Sequence, residues 1–408
     1  MNREALILGV GATPFGRHLD RSAGDLVGQA AHEALRDAGL TPADVGAVFH
    51  ATVSQKAIDG QHMIPGQVAL RPHGFAGVPV VNVENACAGG ATALWLAIAH
   101  VRAGLSDVAL AVGVDKLVCA DPAQGLAVFD GAMDIAHREE TLAALAALTE
   151  PLPPELSADG DRSVFTEIYA SLARAHMQRF GTTEAHLAAV SAKNHAHSVH
   201  NPRAHFRRAF TAQEILAARR VAWPLTVPMC SPVSDGAAAV VVTRADFTRD
   251  ESAVAVLSSV LLSGTDRAAN DAGRHIGRRA ALAAYEKAGI GPQDVDVAEV
   301  HDATAFGEIQ QVENLGFCPI GDGGPWSASG AGALGGTVPV NPSGGLQSRG
   351  HPVSATGLAQ VFELVTQLRG RAGERQVPDA RIAIAENGGG LYGIEEAVAA
   401  VTILGRTR

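Results

Sequence analysis

Apolar and polar positions alternate along this chain in two different periods. Val78 to Val83 (VPVVNV) is a short apolar run that predicts a buried strand, and from Gly89 to Val101 the apolar positions recur at helical spacing. Ser234 to Phe247 (SDGAAAVVVTRADF) predicts another strand. Strand and helix patterns take turns in this way in both halves of the chain, which predicts mixed or parallel sheets covered by helices. Between about Ala120 and Asn201 the pattern changes. A Pro/Glu/Asp-rich break (HREETLAALAALTEPLPPELSADGD) comes first, then helical segments from Phe165 to Val199. Such an excursion predicts an inserted loop domain carrying binding function.

The pattern repeats. Glu33–Thr52 (EALRDAGLTPADVGAVFHAT) matches Ala283–Thr304 (AAYEKAGIGPQDVDVAEVHDAT) as helix, Ala-Gly turn, Pro, Asp-Val and strand. Farther on, VVNVENACAGGATALWLAIAHVRAGLSDVALAVGVD has a counterpart in GGLQSRGHPVSATGLAQVFELVTQLRG followed by ARIAIAENGGG. The offset is about 250 residues, which indicates a duplicated domain and not a solenoid. The expected organisation is residues 1–119 with 202–248 as the first half, 120–201 as the insertion, and 249–408 as the second half. Corresponding loops of the halves can then meet at a pseudo-twofold axis, and Cys87 lies in one such loop and His351 in its mate.

Composition narrows the class. With 408 residues the chain exceeds one ordinary core. Aromatics are only 4%, so packing must rely on aliphatics and close backbone approach. A formal charge of −10 argues against a nucleic-acid surface. No apolar stretch reaches the roughly 18 residues of a membrane helix, and the short apolar run before Gly9 does not make a signal peptide. Cys87, Cys119, Cys230 and Cys318 show no metal-ligand spacing, so reduced thiols in a cytoplasmic protein are expected.

Cys87 sits where a strand pattern meets a helical one. Unpaired amides and the dipole at a helix start favour thiolate, the form that attacks an acyl group; a buried cysteine filling a corner is the plain alternative. Gly350-His351-Pro352 lies in a glycine-rich loop from which a histidine could take the thiol proton. VAEVHDATAFGE puts His301 and Asp302 at a strand end, where site residues collect in strand–helix folds, although Asp302 could equally be a helix cap. Gly388, Gly389 and Gly390 in AENGGGLYG would let backbone N–H groups approach a ligand as an oxyanion hole requires. His195, His197, His200 and His205 form a histidine-rich tract without a metal-binding spacing, and no metal is expected. GVGATPFG imitates a dinucleotide loop, but its glycine pattern is incomplete, and a strand-ending turn is expected there.

With Cys87, His351 and the triple glycine on paired loops, the chain resembles the thiolases, and most nearly the branch linked to sterol carrier proteins. VENACAGGATAL, KNHAHSVHNP, CSPVSDGAAA, HDA, NPSGGLQSRGHPVSATGLAQ and QLRGRAGERQVPDA carry the resemblance in order along essentially the whole chain. It implies an α/β duplicated fold in five layers, αβαβα, homodimers or homotetramers, and coenzyme A thioesters as substrates with no permanently bound cofactor. By position, Cys87 is the acyl-accepting nucleophile and His351 its base. His301 orients a water in the first oxyanion hole, and the amides of Cys87 and Gly389 form the second. The chain departs from that branch at Ala303, where a second catalytic cysteine is expected, and at Thr304, where an aromatic is expected. The Cys-x-Gly cysteine of other thiolases falls on Asn387, or on Glu386 if the glycine run is read one residue earlier.

The resulting expectation is an acyl-CoA C-acyltransferase that works through acyl-Cys87, making or cleaving a carbon–carbon bond with an acyl acceptor. With both usual second thiols absent, the acceptor is expected either to be already nucleophilic or to lose its proton to His301, Glu386 or water, in keeping with a biosynthetic role. The alternative is a partner-dependent or non-catalytic subunit that binds acyl-CoA beside a zinc-ribbon/OB-fold protein. A Cys/His hydrolase is a third reading, but it leaves the duplication unexplained. No nucleic acid and no membrane are expected as partners.

Overall fold

The computed structural model describes residues 4–153, 156, 163–248 and 250–407, so part of the Pro/Glu/Asp-rich break lies outside the described residues. Eleven strands are present among them: β1 (Ala5–Ala12), β2 (Ala47–Ala51), β3 (Val80–Val83), β4 (Val108–Asp115), β5 (Arg220–Ala222), β6 (Leu225–Thr226), β7 (Gly236–Arg244), β8 (Val254–Ser263), β9 (Val297–Glu299), β10 (Ile382–Gly389) and β11 (Val398–Arg406). Nine of them form one mixed sheet in the order β3-β2-β4-β7-β1-β8-β11-β10-β9. The centre of the repeat lies between β1 and β8, which pair over two residues, Leu6 with Ala255 and Ile7 with Val254. On either side the two halves correspond: β7 to β11, β4 to β10, β2 to β9. Beyond β9, Val340 bridges Ala298 in the place that β3 takes beside β2.

Period-two alternation sends successive side chains of these strands into different layers. Ala109 and Ala111 of β4, Val240 and Val242 of β7, and Ala383 and Ala385 of β10 face a shared central core. That core is filled by the helices Gly89–Arg102 and Thr356–Leu368, through Leu94, Ile98, Leu358 and Leu364. The alternate residues Leu110, Val112 and Val241 pack under the helix Ala23–Asp37. Ile384, Val401 and Ile403 pack under the helix Ile276–Ala288. This gives helix, sheet, paired helices, sheet, helix: the duplicated α/β arrangement in five layers. Burying each of the Leu, Ile and Val side chains among them is worth about 1.5–3 kcal/mol, so a register slip that exposed them would be heavily penalised.

The repeat is visible in the turns as well. Gly39 (φ +67°) and Gly289 (φ +70°) end the outer helices, and Pro42–Asp44 and Pro292–Asp294 each form a short 3-10 turn before β2 and β9. Two expectations change in detail. The run 78–83 contributes only β3, an edge strand with Asn82 exposed and Val81 46% exposed, because nothing among the described residues pairs with its outer side. Gly9 and Gly11 lie inside β1 and not in a turn after it. A methyl at Gly9 would fall 2.1 Å from the Ala34 carbonyl oxygen, so these glycines let the first helix sit directly on the strand.

Between β4 and β7 the described chain forms the helices Pro122–Ala127, Arg138–Ala146, Val164–Phe180, Glu184–Ser198 and Ala212–Ala217 and the β5–β6 pair. No helix among the described residues is long and apolar enough to cross a membrane.

Candidate active site

Cys87 occupies a single 3-10 turn, Ala86–Ala88, between β3 and the helix Gly89–Arg102. Ala86 is held at φ +47°, a conformation that costs a non-glycine residue on the order of 1–2 kcal/mol. Glu84 supports it by accepting the Ala86 N–H at 2.6 Å. The matching turn of the second half, Val353–Ala355, precedes the helix Thr356–Leu368, and His351 stands just before it. The two turns meet at the centre of the molecule. Gly113 at the end of β4 leaves the necessary space, since a methyl there would lie 2.1 Å from the Ser354 carbonyl oxygen.

The sulfur of Cys87 and ring nitrogens of His301 and His351 all lie within 4.8 Å of one another. The two imidazoles meet edge to face, with centroids 5.3 Å apart. Three donors this close could crowd round a cation, and the same spacing serves proton transfer. They line a cavity of about 880 Å³ together with Ala303, Thr304, Gly389 and Gly390. Its walls are largely apolar: Val53, Leu126, Phe129, Phe165, Tyr169 and Leu391 contribute, and Lys56 and Arg219 are its Lys and Arg residues.

His351 is oriented from both sides. Its backbone N–H donates to Ser234 Oγ at 3.4 Å, and its Nδ1 lies 2.7 Å from Thr356 Oγ1. The Thr356 hydroxyl donates to the Pro352 carbonyl, so it accepts Nδ1–H. That assigns the tautomer and leaves Nε2 with a lone pair, ready to accept a proton. His301 is buried and neither of its ring nitrogens has a hydrogen-bond partner. Its backbone N–H donates to Glu386 Oε2 at 3.1 Å.

Electrostatics correct one expectation. The helix start does not hold Cys87 as a thiolate: burial, with Asp115 next, pushes its pKa up to about 12, against weaker hydrogen bonds from the backbone N–H groups of Gly390 and Cys87 itself. Burial also pushes His301 down to about 4, and His351 well below the usual imidazole range. The resting site is therefore a neutral thiol beside two neutral imidazoles. With all three groups buried, an ion pair between them is costly to form in the resting site.

The glycine run also resolves. Gly390 presents its amide to the Cys87 sulfur, while Gly389 packs its Cα against the Asn85 carbonyl and the Ala88 amide. Both line the cavity; Asn387 does not, and its side-chain amide is buried without a partner towards Gly357. Asp302 caps no helix of its own segment, since Thr304 is the cap there. It accepts Leu346 N–H at 2.7 Å and Gln347 Nε2 at 2.9 Å, holding the loop that leads to His351. The histidine-rich tract is spread out among separate partners. His195 meets the Pro228 carbonyl at 3.1 Å, His197 the Asn341 carbonyl at 3.0 Å, His200 pairs with Glu374, and His205 bonds Ser234 Oγ at 2.8 Å.

Residues 5–246 match the family model described as "Thiolase, N-terminal domain", and residues 265–406 match "Thiolase C-terminal domain-like". The chain belongs to the thiolase family. Among this thiolase's relatives, an acetyl-CoA acetyltransferase of Methanothermobacter thermautotrophicus is 38% identical over 99% of the chain and 100% of the relative. Sterol carrier protein 2 of Bos taurus is 34% identical over 95% of the chain and 70% of the relative. In fold, the thiolase is similar to a chain of a solved structure described as an Ltp2-ChsH2(DUF35) aldolase, with a TM-score of 0.78 and 23% identity, over 100% of this chain and 99% of that one.

Two groups that motif reading of the thiolase did not single out face its cavity: Tyr169, from the helix Val164–Phe180, and Glu396, just before β11. Tyr169 sits in an ordinary helical stretch. The one available signal for Glu396 was an acidic pair, Glu395-Glu396, interrupting the apolar run after the triple glycine.

Proposed function

We propose that this protein is an acyl-CoA C-acyltransferase of thiolase type, with Cys87 as its covalent acyl carrier. The observation that carries the reading is the convergence of the Cys87 sulfur, His301 and His351 within 4.8 Å at one wall of a large, mostly apolar cavity. His351 Nε2 takes the thiol proton as the sulfur attacks the thioester carbonyl. The coenzyme A thiolate then leaves and recovers that proton from His351. Because thiol and base start neutral, activation is general-base catalysis during attack, not a standing ion pair.

The amides of Cys87 and Gly390, with Gly389 shaping the turn, receive the oxyanion of the acyl group. A water held by His301 donates to the oxygen of the acceptor thioester, while His351, with Nε2 again a lone pair, only bounds that side of the site. Asn387 supports β10 from the opposite side and takes no proton. The segment 120–201 brings Phe129, Phe165 and Tyr169 to the cavity and selects the acyl chain. In this reading the protein acts as a homo-oligomer in a reducing cytoplasm, which keeps Cys87 free.

A second reading keeps acyl-CoA binding but makes activity depend on a zinc-ribbon/OB-fold partner. The likeness to a chain solved in an Ltp2-ChsH2(DUF35) aldolase favours it. Intact-mass spectrometry with a panel of acyl-CoAs tests the proposal. A Cys87 adduct that disappears in Cys87→Ala supports it; an undiminished adduct in that variant overturns it. Stable acylation without any carbon–carbon chemistry until a partner is added would favour the second reading.

A further inference from the structure

Joining an acyl group to the α-carbon of a thioester acceptor requires a base there; His301 is committed to the oxyanion-hole water in the reading above, and the two positions where a second cysteine is expected cannot serve. Ala303 carries no proton, and Asn387 lies outside the cavity. Glu386 is buried behind the cavity and occupied with the His301 backbone. Of the carboxylates that do line the cavity, Glu84 is exposed and bonded to Ala86, and Asp134 is bonded to exposed His137. Glu396 is the buried one.

Its position is specific. Gly388 faces Glu396 across the hairpin: a methyl at Gly388 would lie 2.8 Å from Glu396 Cγ and 3.2 Å from its Oε1. The Glu396 carboxylate thus fills the space a side chain at 388 would take, on the same face of β10 as Glu386. It is also fixed in orientation. Oε1 accepts from Gln311 Nε2 at 3.1 Å, and Oε2 lies 3.2 Å from His275 Nε2. His275 Nδ1 accepts N–H bonds from Gly277 (3.1 Å) and Asn314 (3.0 Å), which puts the ring proton on Nε2, facing the carboxylate. Against the upward push of burial, His275 brings the Glu396 pKa down to about 2. That keeps the carboxylate ionised and ready to accept a proton, but makes it a weak base that needs the α-proton acidified by the oxyanion-hole donors.

We propose that Glu396 is the catalytic base of the carbon–carbon step, with His275 as its positioning residue. The assignment rests on the acyl-Cys87 reading above. The carboxylate removes the α-proton of the acceptor thioester. The resulting carbanion attacks the carbonyl of acyl-Cys87, and the tetrahedral intermediate expels the Cys87 thiolate. Glu396, now a carboxylic acid, returns its proton to that thiolate, so the site ends as it began. In the cleavage direction the same carboxyl group protonates the departing carbanion.

The test separates acylation from enolisation. The native protein and Glu396→Gln are incubated in D₂O with the acyl-CoA that acylates Cys87 best in the panel. The Cys87 adduct and the deuterium incorporated at the thioester α-carbon are read by mass spectrometry. The expected result is an undiminished rate of adduct formation with deuterium incorporation slowed by about 10²–10⁴-fold, and intermediate exchange in Glu396→Asp. Glu396→Gln keeps an oxygen for the His275 N–H; if it nevertheless melts early, Glu396→Asp carries the same comparison.

The assignment is overturned by retained exchange in Glu396→Gln, by a parallel loss of adduct and exchange, or by a native protein that acylates without exchanging. It is equally overturned if Cys230→Ala, removing the other thiol on the cavity wall, abolishes exchange while Glu396→Gln does not. Absence of any adduct in the native protein would sink the underlying acyltransferase reading itself.

Discussion

Asp115, at the end of β4, accepts the backbone N–H of Ser354 at 2.6 Å, tying the strand behind Cys87 to the turn that follows His351. Its other oxygen accepts from Thr52 Oγ1 and from the amides of Val53 and Ser54, at 2.8–3.0 Å. One buried carboxylate therefore cross-links the two halves of the duplicated fold at the point where the Cys87 and His351 loops meet. Replacing one oxygen by an NH₂ group, in Asp115→Asn, leaves N–H facing N–H. A buried group deprived of its partner costs about 1–3 kcal/mol. Denaturant unfolding should show a loss of that order; an unchanged midpoint would mean the cross-link contributes nothing net.

Gly113→Ala attacks the same contact sterically. The added methyl meets backbone and not a flexible side chain, so the loops must part. Overpacking of this kind costs about 1–3 kcal/mol. Acylation of Cys87 should slow by more than the stability loss implies, because His351 moves away from the sulfur. Acylation at the native rate in a destabilised variant would show the halves to be less tightly coupled.

The elevated Cys87 pKa predicts how the thiol titrates. Below about 12 the thiolate fraction grows about tenfold per pH unit. Iodoacetamide alkylation of Cys87 in the free protein should therefore keep rising from pH 6 to pH 10. A plateau below pH 9 would reveal a thiolate already present at rest.

His351→Ala should slow acylation by about 100-fold, the usual scale for a lost general base. Thr356→Val removes only the group that fixes the tautomer. One hydrogen bond of about 1 kcal/mol corresponds to several-fold in rate. A Thr356→Val loss as large as that of His351→Ala would mean the hydroxyl does more than hold Nδ1–H.

Glu386 predicts a dependence of stability on pH. Burial, with Glu396 next, raises its pKa to about 8, above the ordinary carboxylate value it regains on unfolding. The folded state then binds the extra proton, so this contribution is full below the unfolded pKa and is lost as pH rises through about 8. Oε1, which has no partner, has room for that proton while Oε2 accepts the His301 N–H. Glu386→Gln should flatten the decline in melting temperature between pH 5 and pH 8. A parallel decline in both proteins would show that Glu386 is ionised in the native state.

Much of this protein was legible without its structure. The repeat of helix, Gly turn, Pro-Asp and strand set the duplicated fold, because alternating periods and turn chemistry are local properties of the chain. Cys87 and His351 stood out because each begins a central helix of its own half. Tertiary structure decided the rest. Val81 is exposed although its apolar run predicts burial, since burial depends on which strands end as neighbours. Cys87 is a thiol at rest although it starts a helix, since burial outweighs the local dipole. Glu396 lies far from His275 in sequence and eight residues from Gly388, and no motif links the three. Their convergence exists only once the β10–β11 hairpin folds onto the outer helix. Short-range pattern fixes elements; which charged groups share one cavity is set by the packing of segments that the sequence keeps apart.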